Sequence, residues 1–166
     1  DEEILKIWEQ DKCFEQSVAN RKAKIADKNN EFIFYDGPPF ANGLPHHGHL
    51  LASTVKDIVP RYYEMKGYFV PRHFGWDCHG IPVEYAVDKD LGLSTQEAVN
   101  KLGLSGYNDV CRGIVDRYSN QWQHTIKRIG RWVDFEQCYR TMAPSLWILF
   151  GGLSQRYRKK TSSTTG

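Results

Sequence analysis

Glu31-Phe32-Ile33-Phe34-Tyr35 runs into Asp36-Gly37-Pro38-Pro39, and Phe40-Ala41-Asn42-Gly43-Leu44-Pro45 then leads to His46-His47-Gly48-His49. The first five residues are mostly aromatic or β-branched, types that suit a pleated and buried surface. Glycine and proline then break the run. This stretch predicts a buried strand at 31–35, a loop from Gly37 to Pro45, and a helix from about His46 to Lys66. Leu50, Leu51, Val55, Ile58, Val59 and Tyr62 give that helix an apolar face. Pro60 inside it predicts a kink, since proline removes a hydrogen bond and clashes with the preceding turn. Gly67 is a natural stop.

Downstream, Tyr68-Phe69-Val70 opens a second strand that reaches about Phe74. A loop holding Gly75-Trp76-Asp77 and Cys78-His79-Gly80 follows, then a helix over 82–90. The longest helix is expected at 106–129, where Val110, Ile114, Tyr118, Trp122 and Ile126 recur every four residues beside Tyr107, Val115 and Ile129. Such a stripe faces a core. Upstream, Ile4, Ile7, Trp8 and Phe14 mark a short helix over 2–14, and the polar residues 15–30 read as a helix end and a loop. Strand, loop, helix, strand, loop, helix is the order of an α/β fold with a parallel sheet. Ligands bind such sheets beyond the carboxyl ends of the strands, where the loops 36–49 and 75–82 lie.

Composition sets the outer limits. The chain has 166 residues, 40% hydrophobic and 25% charged, with a net charge of +2. That is a globular composition, and the length suits one domain with a real core. Without a run of about 18 apolar residues, no membrane span is expected. An acidic start at Asp1, Glu2 and Glu3 does not suit a secretory signal. Cys13, Cys78, Cys111 and Cys138 are far apart and form no C-x-x-C pair, so a structural zinc site is not expected, no metal ligands are assigned, and reduced thiols in the cytoplasm are the default. A charge of +2 does not by itself argue for nucleic acid, and Arg156, Arg158, Lys159 and Lys160 read as a solvated tail.

His46 and His49, three apart, share one face of the expected helix start. A helix N-terminus offers free N–H groups and partial positive charge, which suit phosphate. Two imidazoles there would donate to phosphate oxygens, above all as charge shifts toward a leaving pyrophosphate. Gly48, without Cβ, admits a flat base or backbone. A His-x-x-His pair also suits a metal or a simple helix cap, and taken alone the motif favours those uses. Its place after a strand and a Gly/Pro loop favours phosphate. Asp77, at the end of the second strand, suits a substrate ammonium or a cap of its own turn. Cys78 and His79 are neighbours on an extended segment and point to opposite sides, so they read as structural. Trp76 reads as packing.

Pro39 through His49 resembles the HIGH signature of class I aminoacyl-tRNA synthetases, with His46-His47-Gly48-His49 as the motif. Asp36-Gly37-Pro38-Pro39-Phe40-Ala41-Asn42-Gly43 is similar to the isoleucine members, as is Phe74-Gly75-Trp76-Asp77-Cys78-His79-Gly80-Ile81-Pro82-Val83-Glu84. Valine members usually read Pro-Pro-Pro-Asn-Val-Thr-Gly at the loop, and leucine members Tyr-Pro-Ser-Gly. The likeness extends through Arg131-Trp132-Val133-Asp134-Phe135 and covers residues 1 to about 142.

The resemblance implies the first half of a Rossmann-like, parallel-sheet nucleotide-binding domain at 31–142, behind an N-terminal helical arm at 1–30. It implies activation of L-isoleucine with ATP and Mg²⁺, then ligation to tRNA(Ile). His46 and His49 take the catalytic role at the ATP phosphates. Gly48 packs near adenine, Asn42 joins the ATP contacts, and His47 has no role. Asp77 takes the amino group of the amino acid, and Gly37 and Pro38 wall its side-chain pocket. After Thr141-Met142 the likeness fails, and 143–166 is expected to be a divergent, disordered tail. The family's KMSKS loop, editing domain and anticodon-binding helices do not occur in these 166 residues, which suggests a truncated or frame-shifted product. A valine–tRNA ligase is the nearest enzymatic alternative, and a non-catalytic nucleotide- or protein-binding remnant is the alternative of another class.

Overall fold

Lys12 adopts a left-handed conformation (φ 48°) and so divides the N-terminal segment into α1 (Glu2–Gln10) and α2 (Cys13–Lys22). The single helix expected over 2–14 is therefore two, and the polar residues to Lys22 are helical rather than loop. The structure is a computed structural model that describes residues 1–23 and 30–162, the side chains of 159–162 excepted. The loop expected through 24–29, the tail from 163 onward and the Lys159 and Lys160 side chains lie outside the described residues. Trp8 of α1 meets Trp132 edge to face at 5.3 Å, and the Arg61 guanidinium lies 4.0 Å over the Trp132 ring, which docks the arm.

Within 31–36 only Glu31 is bridged, to Phe69, so the strand expected at 31–35 is reduced to an isolated bridge. Its two faces also differ. Phe32 and Phe34 are half-buried and Asp36 is buried, whereas Ile33 and Tyr35 are exposed, Tyr35 at 83%. A parallel-sheet strand needs cover on both faces to be fully buried; among the described residues only one face has it. Phe32 stacks on Tyr63 at 3.8 Å, and its N–H donates to the Phe69 carbonyl.

Helix α3 (His47–Met65) runs unbroken through Pro60 and stops before Gly67, whose φ is +99°. Its orientation reverses most of the expectation: of the expected apolar face, Leu50 is half-buried against the core. Leu51, Val55, Ile58, Val59 and Tyr62 are exposed, and the buried residues are Ser53, Pro60 and Glu64. The inward face is polar because each group has a fixed partner. Lys56 pairs with Asp36, Asp57 with Arg61, Glu64 with Arg72, and Ser53 accepts from Arg131. Ion pairs and hydrogen bonds here replace the apolar contacts that the periodicity predicts.

The second strand sits later than expected, as β1 (His73–Trp76), and includes Gly75 and Trp76 that were read as loop. Helix α4 (Ile81–Leu91) follows, with Pro82 in its first turn. Helix α5 (Thr95–Arg128) begins eleven residues before the expected start and bends at Gly103, where φ 74° and ψ 163° are non-helical. Ser94 and Glu97 form a reciprocal capping box that starts it. Tyr107, Ile114, Val115, Trp122 and Ile126 are buried as the stripe predicts, whereas Ile129 is the exposed C-cap.

Strand β2 (Asp134–Arg140), which the sequence reading did not place, pairs in parallel with β1. Phe74, Trp76, Val83, Val115, Trp122, Ile126 and Val133 form the main core beneath this two-stranded sheet. The architecture is α/β with a β-α-α-β crossover. Of the segment 143–166 expected to be a disordered tail, Pro144–Ser162 form helix α6, and Gly151 and Gly152 lie inside it without ending it.

Candidate functional site

The start of α3 is built by two histidines capping each other. His46 is the N-cap, with extended backbone (φ −100°, ψ 172°), and its Nδ1 accepts from the Gly48 N–H at 3.1 Å. In return the His46 N–H donates to His49 Nδ1 at 3.3 Å. The rings stack at 3.7 Å and 25°. An imidazole nitrogen that accepts carries no proton, so in the neutral rings the proton sits on Nε2. Both capped rings therefore hold Nε2–H available as a donor. Burial, then His46 and Lys56, push the His49 pKa below its ordinary 6.5, which favours that neutral form.

The helix cap uses Nδ1 of each ring and so does not draw on Nε2, the atom that the phosphate reading of the sequence would need. The capping does reduce the supply of backbone donors. The Gly48 N–H is taken by His46 Nδ1 and the His49 N–H by the His46 carbonyl at 2.9 Å. Gly48 also lies tight against a neighbour that the sequence did not show. A Cβ there would lie 3.0 Å from His46 Cε1, so the close neighbour is the capping ring itself.

Trp122 ties this helix start to the strand. Its ring is 4.8 Å from His49 and 5.8 Å from Trp76, and its Nε1 donates to the Gly43 carbonyl at 2.7 Å. Asp77 follows Trp76 and bridges in parallel to Phe40. Its N–H donates to the Pro39 carbonyl at 2.9 Å and its carbonyl accepts from Ala41 at 3.3 Å. The 37–45 loop is thus clamped onto the end of β1. Asn42 donates to the Pro82 carbonyl at 3.3 Å, which anchors the loop to α4.

The Asp77 carboxylate accepts from the Thr141 hydroxyl at 3.3 Å, and that hydroxyl accepts from the Cys78 N–H at 2.9 Å. His79 Nδ1 lies 3.7 Å from the same carboxylate oxygen. Thr141 comes from the end of β2, 64 residues away in sequence, so no local pattern pointed to it. Cys78 is buried, and burial pushes its thiol pKa up, which suits the structural role. Gly37 accepts from Lys56 Nζ at 2.9 Å through its carbonyl. The fold therefore brings His46, Gly48, His49, Asn42 and Asp77 around one loop, with Gly37 and Pro38 at its start.

Comparisons with known proteins place the chain in a family. The family model described as tRNA synthetases class I (I, L, M and V) matches residues 3–149. The chain belongs to that family. Among the synthetases similar to it, the isoleucine–tRNA ligase of Chlamydia pneumoniae is 51% identical over 157 residues, covering 92% of this chain and 15% of that protein. That of Bdellovibrio bacteriovorus is 53% identical over 154 residues, covering 90% and 14%. The cytoplasmic isoleucine–tRNA ligase of Mus musculus is 50% identical over 154 residues, covering 90% and 12%. This synthetase segment thus spans about one-seventh of the length of those relatives. The LeuRS of a ternary LeuRS-tRNA-LeuAMS complex from Agrobacterium radiobacter K84 superposes with a TM-score of 0.60 at 19% identity, covering 81% of this chain and 15% of that one. That likeness concerns the fold, the Rossmann-like α/β arrangement. Among the described residues of this synthetase segment, no helix is long and apolar enough to cross a membrane.

Proposed function

We propose that this chain carries the HIGH-motif half of an isoleucine-activating site, in a cytoplasmic isoleucine–tRNA ligase that charges tRNA(Ile). The observation that carries the reading is the pair of mutually capped histidines, whose Nε2–H groups have no hydrogen-bond partner among the described residues, linked through Trp122 to the strand end that bears Asp77. In the proposed step a carboxylate oxygen of L-isoleucine attacks the α-phosphorus of ATP. The bond from that phosphorus to the oxygen bridging toward the β-phosphorus breaks, and pyrophosphate leaves. His46 and His49 donate through Nε2 to the phosphate oxygens as negative charge builds on the leaving group. Fixed donors of this kind stabilise developing charge without reorganising.

Asn42 and Gly48 shape the nucleotide side, and Gly37 and Pro38 the amino-acid side. Asp77, oriented by Thr141, receives the ammonium of isoleucine in a charge-assisted hydrogen bond. Among the described residues no group of three or more His, Cys, Asp or Glu side chains fits a metal ion. The donor set here does not form a cage for Mg²⁺, and no step is assigned to it.

The test is L-isoleucine-dependent ATP–pyrophosphate exchange, on the 166-residue chain and on a longer chain containing it. His46→Ala and His49→Ala should each lower turnover by about 10²–10³ while leaving isoleucine binding nearly unchanged. Unchanged turnover in both variants refutes the histidine roles. Exchange driven better by valine supports a valine ligase, and nucleotide binding without exchange in either chain supports a non-catalytic remnant.

A further inference from the structure

The corner at Asp36 and Gly37 has no strand ladder to hold it, yet it carries the wall assigned above to the amino-acid pocket. Its support comes from side chains. Asp36 is 3% exposed, and its Oδ2 accepts from Arg131 at 2.6 Å. Arg131 is itself buried and donates to Ser53 of α3 at 3.3 Å. The Tyr139 hydroxyl of β2 donates to the Asp36 carbonyl. Lys56 of α3 completes the cluster. Its Nζ is 2.6 Å from Asp36 Oδ1, which is buried and accepts no hydrogen bond, while the Lys56 hydrogen bond goes to the Gly37 carbonyl at 2.9 Å.

Lys56 therefore does two things with one ammonium. It balances the free oxygen of a buried carboxylate by charge, and it fixes the direction of the next peptide by hydrogen bonding. A buried carboxylate without such partners is strongly destabilising. A carbonyl held by a cation is more firmly placed than one held by a neutral donor. Lys56 also lies seven residues after His49, two turns along the same face, and its charge helps keep His49 neutral.

We propose that Lys56 is a positioning residue for amino-acid binding: it holds the Gly37 carbonyl against α3 and so sets the Gly37–Pro38 wall that isoleucine meets. The proposal rests on the reading of that wall as part of the isoleucine pocket. Lys56 acts through the wall and need not touch substrate.

The experiment compares wild type with Lys56→Met, Lys56→Gln and Lys56→Arg in the 166-residue chain. It measures thermal midpoint, the backbone order parameter at Gly37, and dissociation constants for L-isoleucine and for MgATP by titration. Lys56→Met and Lys56→Gln should lower the Gly37 order parameter from about 0.85 toward 0.6. They should weaken L-isoleucine about tenfold, the size expected for a lost charged hydrogen bond, and leave MgATP within about threefold. Lys56→Arg, which keeps the charge and a donor, should restore both values. If Lys56→Met does not fold, the Lys56→Gln and Lys56→Arg pair gives the same contrast.

Unchanged order at Gly37 and unchanged isoleucine binding in the folded variants overturn the proposal. So does equal weakening of both ligands together with a lowered midpoint, which marks a merely structural lysine. If wild type does not bind L-isoleucine but Gly37 still loosens in Lys56→Met, the pocket reading fails and the clamp itself is supported.

Discussion

Gly75→Ala is a sharp probe of how β1 and β2 meet. A Cβ on Gly75 would fall within 3.0 Å of three Tyr139 side-chain atoms, the hydroxyl among them. The two residues are register partners across the parallel pair. Tyr139 is not free to swing aside, because its hydroxyl donates to the Asp36 carbonyl. An added methyl must displace the ring or the strand, and such overpacking costs about 1–3 kcal/mol. A displaced ring loses its hydrogen bond, about 1 kcal/mol more. Alanine restricts the unfolded chain and returns about 0.4–1 kcal/mol. The net loss is about 1–3.6 kcal/mol. In urea, with a slope of about 1–3 kcal/mol per molar, the midpoint should fall by about 1 M. The same substitution made in Tyr139→Ala should have no cost, since the ring is gone, so the double-mutant cycle should show strong coupling. A Gly75→Ala variant within about 0.5 kcal/mol of wild type, or one equally destabilised in both backgrounds, refutes the argument.

Glu64→Ala should destabilise the chain by about 3–5 kcal/mol, because it leaves the Arg72 guanidinium buried without its carboxylate. Burial already lowers the Arg72 pKa to about 10, and urea unfolding measures the loss. Asp77→Asn should raise the Michaelis constant for isoleucine by an amount matching about 2–5 kcal/mol, with ATP affected less; unaltered isoleucine binding reduces Asp77 to a structural residue. His49 should make stability fall as pH drops. Its folded pKa lies below 6.5, so the unfolded chain takes up the proton first, and stability present above pH 6.5 is lost on descending through that value toward the folded pKa. His49→Asn, which keeps an acceptor at the Nδ1 position but does not titrate, should lose less stability than wild type between pH 7.5 and about 5.5 in parallel urea series.

Periodic segments were legible where their partners are local. The α5 stripe from Tyr107 to Ile126 is buried as its spacing requires, and α3 and α4 lie within a residue or two of their expected positions. The first part of α5 was missed although Ser94-Thr95-Gln96-Glu97 has the capping-box spacing. Strand β2 gave no signal, because Asp-Phe-Glu-Gln-Cys-Tyr-Arg lacks clean alternation and owes its conformation to pairing with β1 some 60 residues away. The inverted α3 has a different cause. Periodicity shows that Leu51, Val55, Ile58 and Val59 share a face, but not whether this chain supplies anything to cover it. Among the described residues it does not, and the polar face turns inward because Asp36, Arg72 and Arg131 are there to meet it.

The site shows the same division. His46, His49 and Asp77 are proposed from residue type and position, because a motif is a local statement. What orients them is not local. Trp122 reaches the Gly43 carbonyl across 79 residues, Arg131 reaches Asp36 across 95, and Thr141 reaches Asp77 across 64. The histidines are the instructive exception. Their spacing of three is what lets one ring accept from the amide after its neighbour and the other accept from the N-cap amide, so the motif builds its own support. A capped Nδ1 fixes which nitrogen bears the proton, and the free Nε2–H follows from it. Structural and chemical explanations of such a motif therefore do not compete. Removing either ring loosens the helix start and removes a donor at once, so turnover alone cannot separate the two effects. A His49→Asn chain can. It retains an acceptor for the His46 N–H while placing no donor at the Nε2 position, and it should keep α3 capped yet lose exchange activity. Full activity in that variant would mean that the helix cap, and not the donated hydrogen bond, is what the second histidine supplies.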